Sequence, residues 1–149
     1  MKNILMVCLG NICRSPLAEG ILQSKVDSSQ VSVDSAGTAA YHVGELPDAR
    51  SIEVARKYRI DLTTQRARKF KVEDFDRFDE IFVMDDSNCQ NVLLKARNEE
   101  DKAKVKMILN ESHPNENMSV PDPYYGGSQG FENVYEMLDK ACDAVAKRL

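Results

Sequence analysis

A loop near the start of the chain constrains both fold and function more than any other feature. Residues 8–16 read Cys-Leu-Gly-Asn-Ile-Cys-Arg-Ser-Pro and follow the apolar residues 4–7, which predict a buried strand. After the loop, apolar residues share one helical face, at Leu17, Ala18, Ile21 and Leu22. The loop therefore joins a strand to a helix, for which Ser15 suits the N-cap and Pro16 the first helical position.

A loop of this kind is a ready anion site, because backbone N–H groups and a helix N-terminus gather around one point. Arg14 adds a planar fork that matches phosphate oxygens. A helix N-terminus and a fixed positive charge also lower the pKa of a thiol from about 8.5 toward roughly 3.5–7.5. We therefore expect Cys8 to be a thiolate nucleophile beside a bound phosphate. The expected phosphate-binding residues are Leu9, Gly10, Asn11, Ile12, Cys13, Arg14 and Ser15.

Strands and helices are predicted to alternate along the rest of the chain. The expected further strands are residues 31–37, 80–84 and 105–109. The expected further helices are residues 48–58, a short one within 71–78, 87–96 with Ser87 as cap, and a final one with the stripe Phe131, Val134, Leu138, Ala141 and Val145. This order predicts an α/β fold: a single-domain three-layer sandwich with a four-stranded parallel sheet flanked by helices. Ligands of such sheets bind at the carboxyl ends of the strands, where the phosphate-binding loop lies.

The bulk composition is that of an ordinary globular chain. Hydrophobic residues make up 42% and charged residues 30%, and a net charge of −4 with both signs interspersed gives no reason to expect nucleic acid or membrane as a partner. We expect no signal peptide and no membrane span, and hence a cytoplasmic protein. One domain over residues 1–149 is expected.

The four cysteines are Cys8, Cys13, Cys89 and Cys142, and they do not form the pattern of a small secreted disulfide protein. Neither His42 nor His113 lies at ligand spacing from a cysteine pair, so no metal site is expected. Free thiols in a reducing compartment are the simplest interpretation.

Residues 8–16 resemble the phosphate-loop motif of the low-molecular-weight protein tyrosine phosphatases and match it at every position. The resemblance implies hydrolysis of phosphotyrosine, and of small aryl phosphates, through a cysteinyl-phosphate intermediate on Cys8, with Arg14 binding the phosphate. It implies no cofactor. The expected partners are phosphotyrosine-containing proteins, with inorganic phosphate as product and inhibitor.

The departing oxygen needs a proton, and Asp122 is the best candidate to supply it. Pro121 and Pro123 stiffen its loop, and the segment Asp-Pro-Tyr-Tyr at residues 122–125 matches the one that carries the general acid in the resembled family. An Asp before Pro is by itself most often a turn residue, so the upstream loop carries this assignment.

Four side chains are expected to wall the substrate, and Ile12 in particular offers a flat aryl ring a branched apolar surface. The other three are aromatic. The resembled family has aromatic residues at the positions of Tyr41 and Tyr125, and Tyr124 and Tyr125 can form a wall at the pocket mouth.

Several residues are expected to support the reacting groups. Ser15 can donate to the Cys8 sulfur, and Asn11 tolerates the left-handed backbone that a tight loop needs. In the resembled family the asparagine is braced by a serine that matches Ser35. A histidine often completes that network, and Gln65 stands at the matching position. Asp85, at a strand end, is expected in a supporting or helix-capping role.

Cys13 has two interpretations, a packed small side chain or a redox residue that captures an oxidised Cys8 as a disulfide. Cys89 and Cys142 are expected to fill helix positions.

Three alternative functions remain at this level. A thiol-dependent arsenate reductase resembles the same loop and fold but needs a further cysteine pair downstream, and Cys89 has no near partner. A phosphoarginine phosphatase carries a smaller polar residue at the position of Ile12. A phosphoprotein-binding module without catalytic activity is the third alternative, and the presence of both Cys8 and Asp122 argues against it.

Overall fold

Four parallel strands form one sheet in the order β2-β1-β3-β4. The computed structural model describes the backbone of residues 1–149 and every side chain except that of Tyr125. The strands are β1 (Lys2–Cys8), β2 (Val31–Gly37), β3 (Glu80–Val83) and β4 (Val105–Met107). The predicted four-stranded parallel sheet is thus confirmed, with β1 at its centre.

Helices cover both faces of the sheet. They are α1 (Arg14–Lys25), α2 (Ala49–Lys57), α3 (Asp74–Arg77), α4 (Asp86–Leu93), α5 (Glu99–Ala103) and α6 (Gly127–Arg148), with 3₁₀ turns at Ile108–Asn110 and Pro123–Tyr125. The core on one face holds residues of α1, α2 and α6, and the core on the other face holds residues of α3 and α4. None of the helices, as far as the structure describes their residues, is long and apolar enough to span a membrane.

Residues 4–8 of β1 are apolar without a break because both faces of this inner strand are covered. Ile4 and Met6 pack into the core under α1 and α6, whereas Leu5 and Val7 pack into the core under α3 and α4. All four side chains are fully buried. This burial fixes the end of β1, and therefore the place where the loop begins.

The observed elements differ from the predictions in a helix cap, a strand end and an additional helix. Asp85, not Ser87, caps α4, since its carboxylate accepts the N–H of Asn88. The predicted last strand ends at Met107 because a 3₁₀ turn takes up the next residues, and α5 was not predicted.

The predicted N-cap of α1 is wrong. The helix begins at Arg14, with Cys13 as the N-cap residue and no side chain capping it. Ser15 lies inside the first turn, where its hydroxyl is engaged by Asn11 and Cys8. The Ser15 hydroxyl therefore bonds to other residues of the loop and does not cap α1.

Candidate active site

The loop between β1 and α1 turns four of its carbonyl groups away from its centre. These are the carbonyls of Cys8, Leu9, Ile12 and Cys13, which accept hydrogen bonds from Thr38 N (2.9 Å), Ala39 N (3.0 Å), Asp48 N (2.7 Å) and Ser51 Oγ (3.2 Å). The C=O and N–H of one planar peptide unit point in opposite directions. The amides of the following residues therefore face inward, which forms a main-chain cradle for an anion.

Gly37, the last residue of β2, allows this loop to lie against the sheet edge. A Cβ atom at this position would lie 2.7 Å from the carbonyl oxygen of Leu9 and 3.1 Å from the amide nitrogen of Asn11. Backbone atoms cannot yield as a flexible side chain can. The sequence showed this glycine only as the end of a strand, so its role at the site was not predicted.

The sulfur of Cys8 lies at the bottom of the cradle, in a side chain that is buried. Ser15 Oγ is 3.0 Å from this Sγ, and the backbone N–H of Asn11 donates to it at 3.3 Å. Both groups favour a negatively charged sulfur, because each can supply a hydrogen to it. The predicted contact between Ser15 and Cys8 is present.

Asn11 has the left-handed backbone expected of it, with φ 58°. Its Nδ2 group donates to Ser15 Oγ at 2.8 Å and to Ser35 Oγ at 2.9 Å, and its Oδ1 accepts the backbone N–H of Arg68 at 3.0 Å. These three bonds hold the strained backbone, and they include the expected brace from Ser35.

Gln65 takes no part in this network. Its Nε2 donates to the carbonyl of Pro16 at 3.0 Å, and its buried Oε1 has no hydrogen-bond partner among the described residues. The network ends instead at Glu19, whose Oε1 accepts the Ser35 hydroxyl hydrogen at 2.7 Å. Sequence reasoning missed Glu19, although its spacing of four from Ser15 puts both on one face of α1.

Arg14 is held from the side away from the cradle. Its Nη1 donates to Oδ2 of Asp85 at 2.7 Å and to the carbonyl of Val120 at 3.0 Å. The side chain is 7% exposed. Both bonds use Nη1, which leaves the rest of the guanidinium fork for an oxyanion. Asp85 therefore both contacts Arg14 and caps α4, whereas the sequence predicted one role or the other.

One pocket brings most of the predicted residues together, including nucleophile, arginine and acid. It is lined by Cys8, Leu9, Gly10, Ile12, Cys13, Arg14, Tyr41, His42, Asp48, Asp122 and Tyr124. His42 and Asp48 were not predicted, and nothing in their local sequence marks them as pocket residues. Neither residue belongs to an apolar pattern that would predict its position. The segment that follows β2 brings both of them to the pocket.

Asp122 lies exposed at the pocket mouth, just before a 3₁₀ turn, and accepts the backbone N–H of Tyr124 at 3.0 Å. Its segment is anchored two residues earlier, since the Val120 N–H donates to the Met84 carbonyl at 2.7 Å. The Val120 carbonyl is also the one that accepts from Arg14. The expected acid and the expected phosphate binder therefore share an anchor.

Aromatic side chains stand at the rim, as predicted for Tyr41 and Tyr124, which are 75% and 60% exposed. The Arg50 guanidinium lies 5.0 Å from the centre of the Tyr124 ring and also pairs with Asp48 at 3.0 Å. The side chain of Tyr125, the third predicted aromatic wall, lies outside the described residues.

Burial raises the pKa of the other three thiols. Burial, with a smaller effect from Asp48, raises the pKa of Cys13 to about 12. Burial also raises the pKa of Cys89 and of Cys142. Among the described residues no group of His, Cys, Asp and Glu side chains could hold a metal ion.

Comparison with known proteins gives a consistent result. The model of the family "Low molecular weight phosphotyrosine protein phosphatase" matches residues 3–149. The protein of that name from Schizosaccharomyces pombe is 44% identical over 144 residues, which cover 92% of this chain and 91% of the relative.

Two solved structures illustrate the structural similarity. The protein tyrosine phosphatase from Entamoeba histolytica superposes with a TM-score of 0.91 at 34% identity, covering 99% of this chain and 96% of the other. A drosophila arginine phosphatase superposes with a TM-score of 0.89 at 31% identity, covering 99% and 97%.

Proposed function

The chain belongs to the low molecular weight phosphotyrosine protein phosphatase family, and on that premise we propose how its own residues hydrolyse the phosphate ester. It is a hydrolase that acts on phosphoproteins. One observation carries the proposed residue roles: a sulfur in hydrogen-bond contact with the Ser15 hydroxyl and the Asn11 amide lies in one pocket with an arginine and an exposed aspartic acid.

In the first step the Cys8 thiolate attacks phosphorus, and the bond between phosphorus and the tyrosyl oxygen breaks. Arg14 and the inward amides of the loop neutralise the charge that develops on the phosphoryl oxygens. Asp122 donates its proton to the departing phenolate oxygen, so that tyrosine leaves neutral. The products of this step are a cysteinyl-phosphate and an ionised aspartate.

In the second step the ionised Asp122 takes a proton from a water molecule, whose oxygen attacks phosphorus. The bond between phosphorus and sulfur breaks, and inorganic phosphate is released. Ser15 stabilises the departing thiolate of Cys8 through the 3.0 Å contact. The proposed steps assign nothing to a metal or cofactor, because protein groups carry each charge.

The proposed substrate is a phosphotyrosine side chain, with Ile12, Tyr41, Tyr124 and Tyr125 as walls for its ring. The half-buried Ile12 supports an aryl group, since it lines the pocket beside the nucleophile. Phosphoarginine is the second candidate substrate, supported by the similarity to a structure described as an arginine phosphatase. Inorganic phosphate, as the product, is expected to compete for the cradle.

We extend the proposal to the whole chain and its surroundings. Residues 1–149 act as one catalytic domain in the cytoplasm, where reducing conditions preserve the Cys8 thiolate. A peroxide oxidises the Cys8 thiolate to a sulfenic acid, the Cys13 sulfur attacks the Cys8 sulfur and water leaves, and a thiol reductant of the cell then reduces the disulfide to restore the thiolate. The raised pKa of Cys13 makes this capture slow near neutral pH.

The test is hydrolysis of p-nitrophenyl phosphate near pH 5.5 with a chelator present, for the wild type and for Cys8→Ser. We expect chelator-resistant turnover in the wild type, none in the variant, and phosphate binding in both. A phosphotyrosine peptide and a phosphoarginine peptide are compared in the same assay. Turnover that survives in Cys8→Ser would remove the cysteine from its role, and faster hydrolysis of phosphoarginine would replace the proposed substrate.

A further inference from the structure

A chain of hydrogen bonds runs from Glu19 on α1 to the sulfur of Cys8. The Ser35 hydroxyl donates to Glu19 at 2.7 Å, and Asn11 Nδ2 donates to Ser35 at 2.9 Å and to Ser15 at 2.8 Å. Ser15 Oγ lies 3.0 Å from the Cys8 sulfur. The carboxyl group is thus connected to the nucleophile through three polar side chains.

The amide of Asn11 fixes the direction of this chain. Because its Oδ1 accepts the backbone N–H of Arg68, both Nδ2 hydrogens face the two serine oxygens. Each serine oxygen accepts one of them and keeps its own hydrogen for another partner. The hydrogen of Ser35 goes to Glu19, and that of Ser15 is left for the sulfur.

We propose that Glu19 is a positioning residue of the phosphatase reaction, whose carboxylate holds the Ser35 hydrogen and so directs the Ser15 hydrogen to the Cys8 sulfur. This deepens the proposed function and rests on it. An ionised carboxylate only accepts hydrogen bonds, whereas a carboxylic acid also donates. A protonated Glu19 can donate its own hydrogen to Ser35, and the Ser35 hydrogen is then no longer held toward Glu19.

The surroundings of Glu19 put this change of state near neutral pH. Burial raises the pKa of Glu19 to about 7, against the opposing hydrogen bond from Ser35. Asp34 on β2 raises the pKa further, and Arg68 in the segment after α2 lowers it. These two are the charged groups that act on Glu19 within the described part of the chain. The directed chain is therefore complete above about pH 7 and weakened below it.

The experiment compares the wild type with Glu19→Gln, a substitution that keeps the shape of the side chain and removes its charge. The readout is the ratio of their kcat values for p-nitrophenyl phosphate from pH 5 to 8.5. We expect a ratio near one at pH 5.5, and a loss of about fivefold in the variant at pH 8, because Gln replaces a charge-assisted hydrogen bond with a neutral one. Effects of pH that do not pass through Glu19 are common to both proteins and cancel from the ratio. The KM should stay within about twofold, because Glu19 does not line the pocket.

Two variants control this comparison. Glu53→Gln makes the same change on the exposed face of α2 and should leave the ratio at one throughout. In a Ser35→Ala background, Glu19→Gln should no longer alter kcat, since the connection to Asn11 is already cut. A ratio for Glu19→Gln that is the same at every pH would reduce Glu19 to a packing role and overturn the proposal.

A measurement on the wild type keeps the test decisive even if the variant does not fold. NMR titration should show the Nδ2 hydrogens of Asn11 shifting with the same midpoint as the Glu19 carboxyl carbon. If the Asn11 resonances do not shift at the midpoint of the Glu19 titration, the proposal is contradicted. If the wild type has no turnover while the two midpoints coincide, the proposed function fails and the coupling of Glu19 to the loop stands.

Discussion

The carboxylate of Asp85 binds Arg14 with one oxygen and caps α4 with the other, at 2.7 Å in both cases. Asp85→Asn keeps the cap, because Asn is as good an N-cap, but removes the charge that fixes the guanidinium. A charge-assisted hydrogen bond contributes about 1.5–3 kcal/mol, so we expect kcat/KM to fall by about 10- to 100-fold. Steady-state kinetics with p-nitrophenyl phosphate measure this effect.

A second pair of variants separates the two roles of Asp85. Asp85→Ala should lose activity and also about 1 kcal/mol of unfolding free energy from the missing cap. Asn98→Ala removes the corresponding cap of α5, where Asn98 accepts the Asp101 N–H at 2.9 Å, and should leave activity unchanged. Wild-type kcat/KM in Asp85→Asn would show that Arg14 needs no anionic partner.

Asp122→Asn should slow poor leaving groups far more than good ones, because only the former need a proton in the transition state. The asparagine keeps an oxygen for the Tyr124 N–H. We expect a loss of about 100-fold or more for phenyl phosphate and clearly less for p-nitrophenyl phosphate. Equal losses for both esters would assign the proton to another group.

Gly37→Ala should distort the cradle from beneath. Its methyl group would lie 2.7 Å from the Leu9 carbonyl oxygen, so the loop must move. We expect a destabilisation of about 1–3 kcal/mol and a phosphate affinity at least about tenfold weaker. Isothermal titration with inorganic phosphate and urea unfolding measure both. Unchanged phosphate affinity would mean that the cradle tolerates this displacement.

Alkylation should distinguish Cys8 from the other thiols. At pH 6.5 we expect iodoacetamide to label Cys8 first, since burial raises the pKa of Cys13 to about 12 and also raises the pKa of Cys142. Peptide mass spectrometry identifies the labelled residue, and inorganic phosphate should protect it. If Cys13 reacts as fast as Cys8, the assignment of the thiolate is wrong.

Glu80 should make stability depend on acid pH at the opposite end of the sheet. Burial alone would raise its pKa, but hydrogen bonds from Arg148 and Lys106 lower the pKa from 4.5 to about 2. The resulting stability is fully present above pH 4.5 and is lost as the pH falls toward 2.

We expect Glu80 to contribute about 2 kcal/mol at neutral pH, after allowance for its half-exposed cationic partners. Urea unfolding at pH 6 and pH 3 measures this difference in the wild type and in Glu80→Gln. Glu100→Gln, on the exposed side of α5, is the control. An identical pH dependence in Glu80→Gln and the wild type would contradict the assignment.

The sequence predicted the fold because its strands are apolar runs bounded by clear turn residues. β2 was expected at residues 31–37 and lies there, since glycine ends its alternating pattern. The prediction failed for β4, where apolar residues 108 and 109 continue beyond the strand in a 3₁₀ turn. These two residues are buried in the 3₁₀ turn, as residues of a buried strand would be. An apolar run alone therefore cannot show where strand pairing ends.

The sequence predicted the site best where the functional residues lie close together along the chain. Cys8, Asn11, Arg14 and Ser15 share one loop, and the structure brings Asp122 to the same pocket. Glu19 was missed because its partner Ser35 comes from another element, and only the fold brings them within hydrogen-bond distance.

The main-chain cradle has a consequence for how this protein can change over evolution. The inward amides belong to the backbone, so they persist when the side chains of residues 9 and 12 change to those of other non-proline residues. Mutations can therefore remodel the pocket walls while oxyanion capture is inherited intact. A new substrate preference can arise through successive substitutions in the pocket walls, with phosphate binding preserved at each step.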